Sequence, residues 1–332
     1  MISYRAFRNS DPPALAEVWR RQPMQRGLMQ PMSTAILEKH VLSKQYFDRH
    51  GLIVAVENDQ PIGFAHAGFG SDESRNQLDV EVGVTCMLMV VPHPKRELIG
   101  IELLRRCESY LIKCGATRLR GGCDGLLNPF YLGLYGGTRL PGILVTDTLS
   151  TTAFQATGYQ QVACNVILDR DLSGFRPMVS RRLMQLRRNS SVEIVFDPPA
   201  ENWWESCTLG HISRTRFDIR RRDGGESCGN ATYWDIEPLS DSWGVQAVGL
   251  IDLNVVDQHR REGMATHLIG ESLRQLHADG AGLVGVQVEE ENVVARKLFD
   301  NLGFSEIDRG IVFEKVISQR TKNLSADLGH SS

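Results

Sequence analysis

The sequence has no apolar run approaching the ~20 residues that a membrane-spanning helix requires. It has no Gly-x-x-x-x-Gly-Lys-Ser/Thr motif, which removes a P-loop kinase or ATPase. Its seven cysteines (Cys86, Cys107, Cys114, Cys123, Cys164, Cys207 and Cys228) are odd in number, and none lies in a Cys-x-x-Cys pair. Neither a disulfide framework nor a zinc or other metal site is indicated, and reduced, mostly buried thiols are expected. An excess of one charge is also missing. The formal net charge is −3, which gives no general pull towards nucleic acid. The start, Met1 to Arg8, lacks the apolar core of a secretion signal. These absences set the expectation of a cytoplasmic protein with no membrane contact.

What is present fits a globular protein of about two domains. The chain has 332 residues, of which 42% are hydrophobic and 23% charged, enough for a full core. The most informative stretch is Val255-Val256-Asp257-Gln258-His259-Arg260-Arg261-Glu262-Gly263-Met264-Ala265-Thr266. An apolar strand runs into an Arg-x-x-Gly-x-Ala turn, and a helix begins there. A helix start carries free N–H groups and the positive end of the dipole, which suits a pyrophosphate. Gly263 and Ala265 lack bulk, so an anion can approach the backbone, while Arg260 and Arg261 add charge.

After the turn, Met264, Leu268, Ser272, Leu273 and Leu276 mark a helix face that Asp279-Gly280 ends. Trp243 to Val256 before it reads as a near-continuous strand. Leu283 to Val288 reads as a strand, Asn292 to Asn301 as a short helix closed by Gly303-Phe304, and Ile311 to Phe313 as a last strand. The same order occurs earlier. Val84 to Val91 is a strand, Pro92 to Gly100 the turn, and Leu103, Leu104, Cys107, Leu111 and Cys114 a helix face. The two turns align without gaps at an offset of 165, Val90 on Val255 and Gly100 on Ala265. Gly158-Tyr159 then matches Gly303-Phe304 at an offset of 145, so the first copy carries roughly 20 extra residues, assigned to the Gly-rich stretch Asn128 to Pro141. Asp171 to Pro177 is the natural joint. Further back, Ile2 to Phe7 reads as a strand, Asp11-Pro12-Pro13 caps a helix to Gln22, Ser33 to Leu42 is helical, and Leu52 to Glu57 with Pro61 to Gly68 forms a hairpin around Asn58-Asp59. In the second half, Val192 to Phe196 and Gly229 to Ile236 read as strands and Trp203 to Leu209 as a helix. The tail after Ser318 is polar and expected to be disordered.

With the turn and the later helix in view, the sequence resembles the GCN5-related N-acetyltransferase (GNAT) superfamily in a tandem, two-domain form. The residues that carry the resemblance are Arg260-x-x-Gly263-x-Ala265, followed by Asn292, Ala295, Leu298, Phe299, Gly303 and Phe304. The resemblance implies an α/β (α+β) fold class with two tandem acyl-CoA N-acyltransferase domains. Each would be a mixed, mostly antiparallel sheet flanked by helices, with its central strands splayed. The expected units are 1–170 with a degenerate CoA turn, 171–318 with the intact motif, and a tail over 319–332. It further implies acetyl-CoA as co-substrate, with Val255 and Val256 towards the pantetheine arm. Arg260, Arg261, Gly263, Met264, Ala265 and Thr266 would surround the pyrophosphate, and Asn292 would contact the cofactor. Weaker counterparts in the first half are Val90, Val91, Lys95, Arg96 and Gly100. The implied activity is acetyl transfer to a small-molecule or peptide amine by direct attack in a ternary complex, with the working site in the second half and the first half shaping the acceptor pocket or holding the pair together. A homodimer is admitted. The alternative is a non-catalytic sensor of acyl-CoA.

Two features depart from the family pattern. Phe299 stands where the family commonly has a tyrosine that protonates the leaving thiolate, and Phe154 takes that place in the first half. Leu98 stands where Gly263 does in the second turn. For a general base, Asp252 is the leading candidate, because a carboxylate inside an apolar strand is expected to have a raised pKa. Asp235, Glu237 and, in the first half, Glu81 rank below it. Tyr131 and Tyr135 read either as anchors of a packed loop or as lining of an acceptor pocket, and His211 as a surface or core histidine. Basic clusters at Arg181-Arg182, Arg187-Arg188, Arg214 to Arg216 and Arg220 to Arg222 read as solvated faces or as a site for an acidic or phosphorylated acceptor. No aromatics interleave with them, which disfavours single-stranded nucleic acid.

Overall fold

Asn58 and Asp59 sit at φ 50° and 61°, the two left-handed positions of a tight hairpin turn, and the strands beside them pair as expected. The computed structural model describes residues 1–124 and 130–317. Its first half runs β1 (Ile2–Ala6), α1 (Pro12–Arg20), α2 (Thr34–Leu37, continued by a π-helical turn over Glu38–Leu42), β2 (Leu52–Glu57), β3 (Gln60–Ser71), β4 (Leu78–Val90), α3 (Arg96–Lys113), β5 (Arg118–Gly121), β6 (Ile143–Leu144), α4 (Thr148–Ala156) and β7 (Gln160–Asp171). The second half runs α5 (Arg181–Asn189), β8 (Ser190–Phe196), α6 (Trp203–Leu209), β9 (Arg214–Arg221), β10 (Ser227–Asp235), α7 (Glu237–Trp243), β11 (Ala247–Val255), α8 (Met264–Ala278), β12 (Leu283–Glu289), α9 (Val293–Asn301) and β13 (Ser305–Val316). The expected tail after Ser318 lies outside the described residues, as does the start of the Gly-rich stretch up to residue 129.

All the described strands form one mixed, mostly antiparallel sheet in the order β1-β2-β3-β4-β5-β13-β7-β12-β11-β10-β9-β8, with β6 paired to β13. Two strand pairs are parallel, β4 with β5 and β11 with β12. The order is symmetric about the central pair. β13 of the second half lies against β5 of the first, and β7 of the first lies against β12 of the second. Each half has therefore handed its last long strand to the other. The cores follow the strands. Phe313 of β13 stacks on Phe154 in the first core at 5.5 Å, whereas Val166 and Leu168 of β7 are buried in the second.

The internal repeat extends to side chains. Phe154 meets Tyr159 edge-on at 5.0 Å and 78°, and Phe299 meets Phe304 at 5.2 Å and 74°. The amino-terminal caps also match. Asp147 accepts from the Ser150 N–H of α4, and Asn292 accepts from the Ala295 N–H of α9. Helices α3 and α8 bury the faces that their apolar spacing dictates. In α8 Leu268, Ile269 and Leu273 are fully buried, each contributing about 1.5–3 kcal/mol. Cys114, by contrast, is exposed at the end of α3.

Two expectations change, and the basic clusters fall into two elements. Trp243 to Gln246 is not strand: Glu237 opens α7, which ends at Trp243 with Gly244 in the left-handed conformation, and β11 starts only at Ala247. Arg181 to Arg188 is a helix with no buried residue, and Arg214 to Arg221 is a strand whose arginines alternate with Phe217 and Ile219. Asp11 does not cap α1. Its carboxylate binds the Arg5 guanidinium at 2.7 Å instead.

Candidate active site

In both halves the parallel pairing breaks off midway along the longer strand. β11 pairs with β12 only from Ala247 to Leu250, so the edge of Ile251 to Val255 that faces β12 is open. A bulge lies at Ile251, between the Thr232–Asp252 and Tyr233–Leu250 pairs. Beyond Val255 a short 3-10 turn, Asp257–His259, leads into the Arg-rich loop. Arg261 has φ 61° and Gly263 φ 86°. Two left-handed residues this close turn the backbone amides to one side. Among the described residues, the N–H groups from Arg261 through Thr266 find no acceptor, whereas those of Arg260 and His267 do. Six consecutive unpaired donors at the start of a fifteen-residue helix form a cradle for an anion.

The cradle is braced from outside. Arg182 of α5 donates from Nε to the Glu262 carbonyl and from a terminal nitrogen to the Arg261 carbonyl, both at 2.8 Å. A Cβ on Gly263 would come within 3.4 Å of the Arg182 Nε. The arginines of the turn itself divide. Arg260 folds back on the Val255 carbonyl (3.1 Å) and on Asp257 (2.8 Å), while the exposed Arg261 guanidinium has no ion pair among the described residues. Met264 is buried, Ala265 and Thr266 are half-buried, and Val255 and Val256 are half-buried at the open edge. Asn292 is exposed, with its side-chain oxygen committed to the cap of α9. The neighbouring Val293 and Val294 are 70% and 81% exposed, an apolar lip unusual for a helix start.

The first-half turn is built differently. The Lys95 N–H is taken by the His93 ring and the Arg96 N–H by the His93 carbonyl, which leaves only those of Glu97 and Leu98 ahead of the helical ladder. The Arg96 guanidinium points inward onto the Val90 carbonyl and Gln22. Val90 and Val91 are buried. Gly100 lets α3 close on α4, since a Cβ there would meet Leu149 at 3.0 Å. Ser150 Oγ reaches the Leu88 carbonyl at 3.5 Å, sealing the edge that Leu253 leaves open in the other half. Helices α8 and α9 lack comparable packing.

A cavity of about 630 Å³ adjoins the open edge of β11. Ile251 to Asn254 form one wall, with Asn230 and Thr232 of β10 beside them and α6 opposite. Register places Arg216, Thr232 and Asp252 in one row across three strands, and their side chains share a face. Asp252 lines the cavity and is exposed. This corrects the expectation of a buried carboxylate, because the open splay delivers solvent to a nominally central strand. The first half supplies Leu132, Arg139 and Leu140 of the Gly-rich insertion, together with Arg75. Thr138 fits over Gly249 and Gly285, where any Cβ would approach it within 2.7 and 2.6 Å. The Trp234 Nε1 donates to the Thr138 carbonyl at 3.0 Å, and the Gln287 Nε2 to the Arg139 carbonyl at 2.6 Å. Tyr131 and Tyr135 are buried anchors, not lining. Phe154 and Phe299 are both buried.

The remaining sequence candidates lie elsewhere. Asp235, whose carboxyl is held up by partial desolvation and by the Glu237 and Asp197 carboxylates, does not line the cavity, and neither does Glu237. Glu81 is exposed in the first half. His211 is not alone: it lies 3.0 Å from the Lys44 Nζ and 5.2 Å ring to ring from His40, across the junction of the halves. Sequence reasoning missed Arg75, Thr138, Arg182 and Gln287. Only Arg182 carried a signal, as part of a basic pair.

A family model described as "Acetyltransferase (GNAT) family" matches residues 181–304. Over those residues the chain resembles the GNAT acetyltransferase family, and over nearly its whole length it shares the fold of a tandem GNAT protein. Among solved structures, it is similar to a tandem GNAT protein from the clavulanic acid biosynthesis pathway, at 13% identity and TM-score 0.65, over 95% of this chain and 98% of that one. It is also similar to a GCN5-related N-acetyltransferase from Sphaerobacter thermophilus, at 14% identity and TM-score 0.62, over 95% of each chain. A third similar structure is a GCN5-related glucosamine N-acetyltransferase region of a fungal multi-domain GH3 β-N-acetylglucosaminidase. There the identity is 13% and the TM-score 0.70, over 95% of this chain and 38% of that one. No curated protein sequence matches the chain. The GNAT fold supports acyl-CoA-dependent N-acetyl transfer in general, to small-molecule or peptide acceptors. No helix among the described residues is long and apolar enough to cross a membrane.

Proposed function

We propose that this protein transfers an acetyl group from acetyl-CoA to an amine, and that the transfer takes place in the unit 171–318. The observation that carries this reading is the run of unpaired N–H groups from Arg261 to Thr266, directly continuous with the open edge of β11 and the cavity. These residues fit a pyrophosphate, with Gly263 leaving the approach clear and Arg182 holding the turn's carbonyls away. The open edge of Ile251 to Val255, on which Arg260 takes the Val255 carbonyl, fits an extended arm that hydrogen-bonds like a strand. Bound acetyl-CoA supplies an already activated thioester. The chain's own contribution is proximity, holding an amine from the cavity in line with the acyl carbon, and polarisation by N–H groups at the splay. The new C–N bond forms as the C–S bond breaks, and the electron pair leaves on sulfur. The amine proton passes to Asp252, directly or through water, and solvent protonates the sulfur, since Phe299 cannot. We further propose that the unit 1–170 holds no CoA and instead shapes the acceptor pocket.

The burial of Phe at both acid positions favours a second reading, a sensor that binds acyl-CoA without turnover. Calorimetry and thiol release decide between them. Wild-type protein is expected to bind acetyl-CoA and to release thiol with at least one amine. Gly263→Glu, which puts a carboxylate into the cradle, is expected to abolish binding. Unchanged affinity in that variant sinks the site, and binding without release for every amine selects the sensor.

A further inference from the structure

The charges lining the cavity are sorted by the half that supplies them. Two of its four arginines are already neutralised: Arg214 is paired with Glu205 and also donates to the Pro198 carbonyl at 2.7 Å, and Arg216 is paired with Asp218 at 3.0 Å. The other two, Arg75 and Arg139, have no carboxylate within ion-pair distance among the described residues. Both come from the first half. The carboxylates without an ion-pair partner, Asp252 and Glu201, both come from the second.

The stems of the two free arginines are fixed. Arg75 sits at φ 58°, and its carbonyl accepts the Trp204 N–H of α6 at 3.1 Å. Arg139 is held through its carbonyl by Gln287 of β12, beside the open edge. A guanidinium on a held backbone with no carboxylate in ion-pair contact is a receptor for an anion, and its planar fork suits a carboxylate or a phosphate. The charge that bears on Arg139 from its own half is the half-buried Asp124. Across the cavity, Asp252 lies in register with Thr232 on the open strand, where an amine would have to arrive. A cavity of about 630 Å³ is in the range that holds a small metabolite.

We propose that the acceptor is a primary amine that also carries a carboxylate or phosphate group, with the amine towards Asp252 and the anion held by Arg75 and Arg139. This deepens the acetyl-transfer reading and rests on it for the direction of the amine. In that arrangement the first half selects the acceptor and the second half holds the acyl donor.

Two matched pairs of acceptors test the proposal on the full chain: a dipeptide with a free carboxylate against its carboxamide, and glucosamine 6-phosphate against glucosamine. Within at least one pair the charged member is expected to have a kcat/KM about tenfold or more above its neutral twin. Which pair responds separates carboxylate from phosphate. Arg139→Ala and Arg75→Ala are expected to erase the difference by raising KM for the charged member about tenfold more than for its neutral twin, while the affinity for acetyl-CoA holds. Neutral twins that perform as well as the charged members, or arginine variants that leave the ratio intact, overturn the proposal. If no amine releases thiol, calorimetry of the charged members reads the anion site directly. Binding that is lost in Arg139→Ala then upholds the anion site and discards acetyl transfer, whereas absence of binding overturns the anion site.

Discussion

Replacing Arg182 by alanine is a direct test of whether α5, a helix with no buried residue, serves the anion cradle. Arg182 makes two hydrogen bonds of 2.8 Å to consecutive carbonyls of the turn. Charge-assisted bonds of this kind are worth about 1.5–3 kcal/mol when shielded, and less on an exposed face such as this one. A net loss of about 1–2 kcal/mol in the order of the turn follows, which corresponds to an increase of about 5–30-fold in Kd for acetyl-CoA. The loss arises because the unbraced turn must be reorganised before its six amides converge. Calorimetry with acetyl-CoA measures it, and thermal unfolding checks that the fold persists. Arg181→Ala is the control, since Arg181 makes no side-chain hydrogen bond or ion pair among the described residues. The KM for the amine is expected to stay put. Affinity unchanged within about twofold, or an equal loss in Arg181→Ala, refutes the bracing.

Two further expectations concern the junction of the halves. Gly285→Val drives a side chain into Thr138, so the insertion must lift from the sheet. The KM for the amine is expected to rise about tenfold while acetyl-CoA affinity holds, at a stability cost of about 1–3 kcal/mol, read by steady-state kinetics and chemical denaturation. The junction also predicts a pH dependence. Burial, then Lys39 and Lys44, lowers His40 to about 4, and burial, then Lys44, His40 and Lys39, lowers His211 to about 3. Both folded values lie below the ordinary histidine pKa of about 6.5, so the unfolded chain takes up protons first as the pH falls. Their contribution is complete above about pH 6.5 and declines down to about pH 4 for His40 and about pH 3 for His211. The melting temperature of wild type is expected to fall through that window, and that of a His40→Asn, His211→Gln variant to fall less. Parallel curves would remove the two histidines as the cause.

Much of the site was legible because its chemistry is local. A strand, a turn with small residues and a helix start lie together in sequence, so Val255 to Thr266 announces a run of free helix-start amides without any tertiary information. The repeat was legible for the same reason, and the geometry of the Phe154 and Phe299 pairs bears out its offset. What escaped depends on chain segments that are distant in sequence. Arg182 lies some 80 residues before the turn it braces. The polarity of β11 suggested a buried carboxylate at Asp252, because no single segment reveals where a partner strand stops pairing. Helix α5 was invisible as a helix since it buries nothing, and the alternation of β9 was masked by its arginines. The first-half turn looked like a weaker copy of the cradle. Two of its amides, those of Lys95 and Arg96, are in fact spent on the ring and the carbonyl of His93.

The exchange of β7 and β13 has a temporal side. A chain emerging from the ribosome completes β1 to β7 long before β13 exists, and β7 is not the strand that β5 will pair with. Until residues 305–316 are made, the edge of β5 stays bare and Phe154 lacks the ring it stacks on. The first half therefore waits for the second to complete its sheet and its core. The half that closes last, by this order of synthesis, is the one nearer the start, so damage near the far end of the sequence is felt first in the core that the opening residues build.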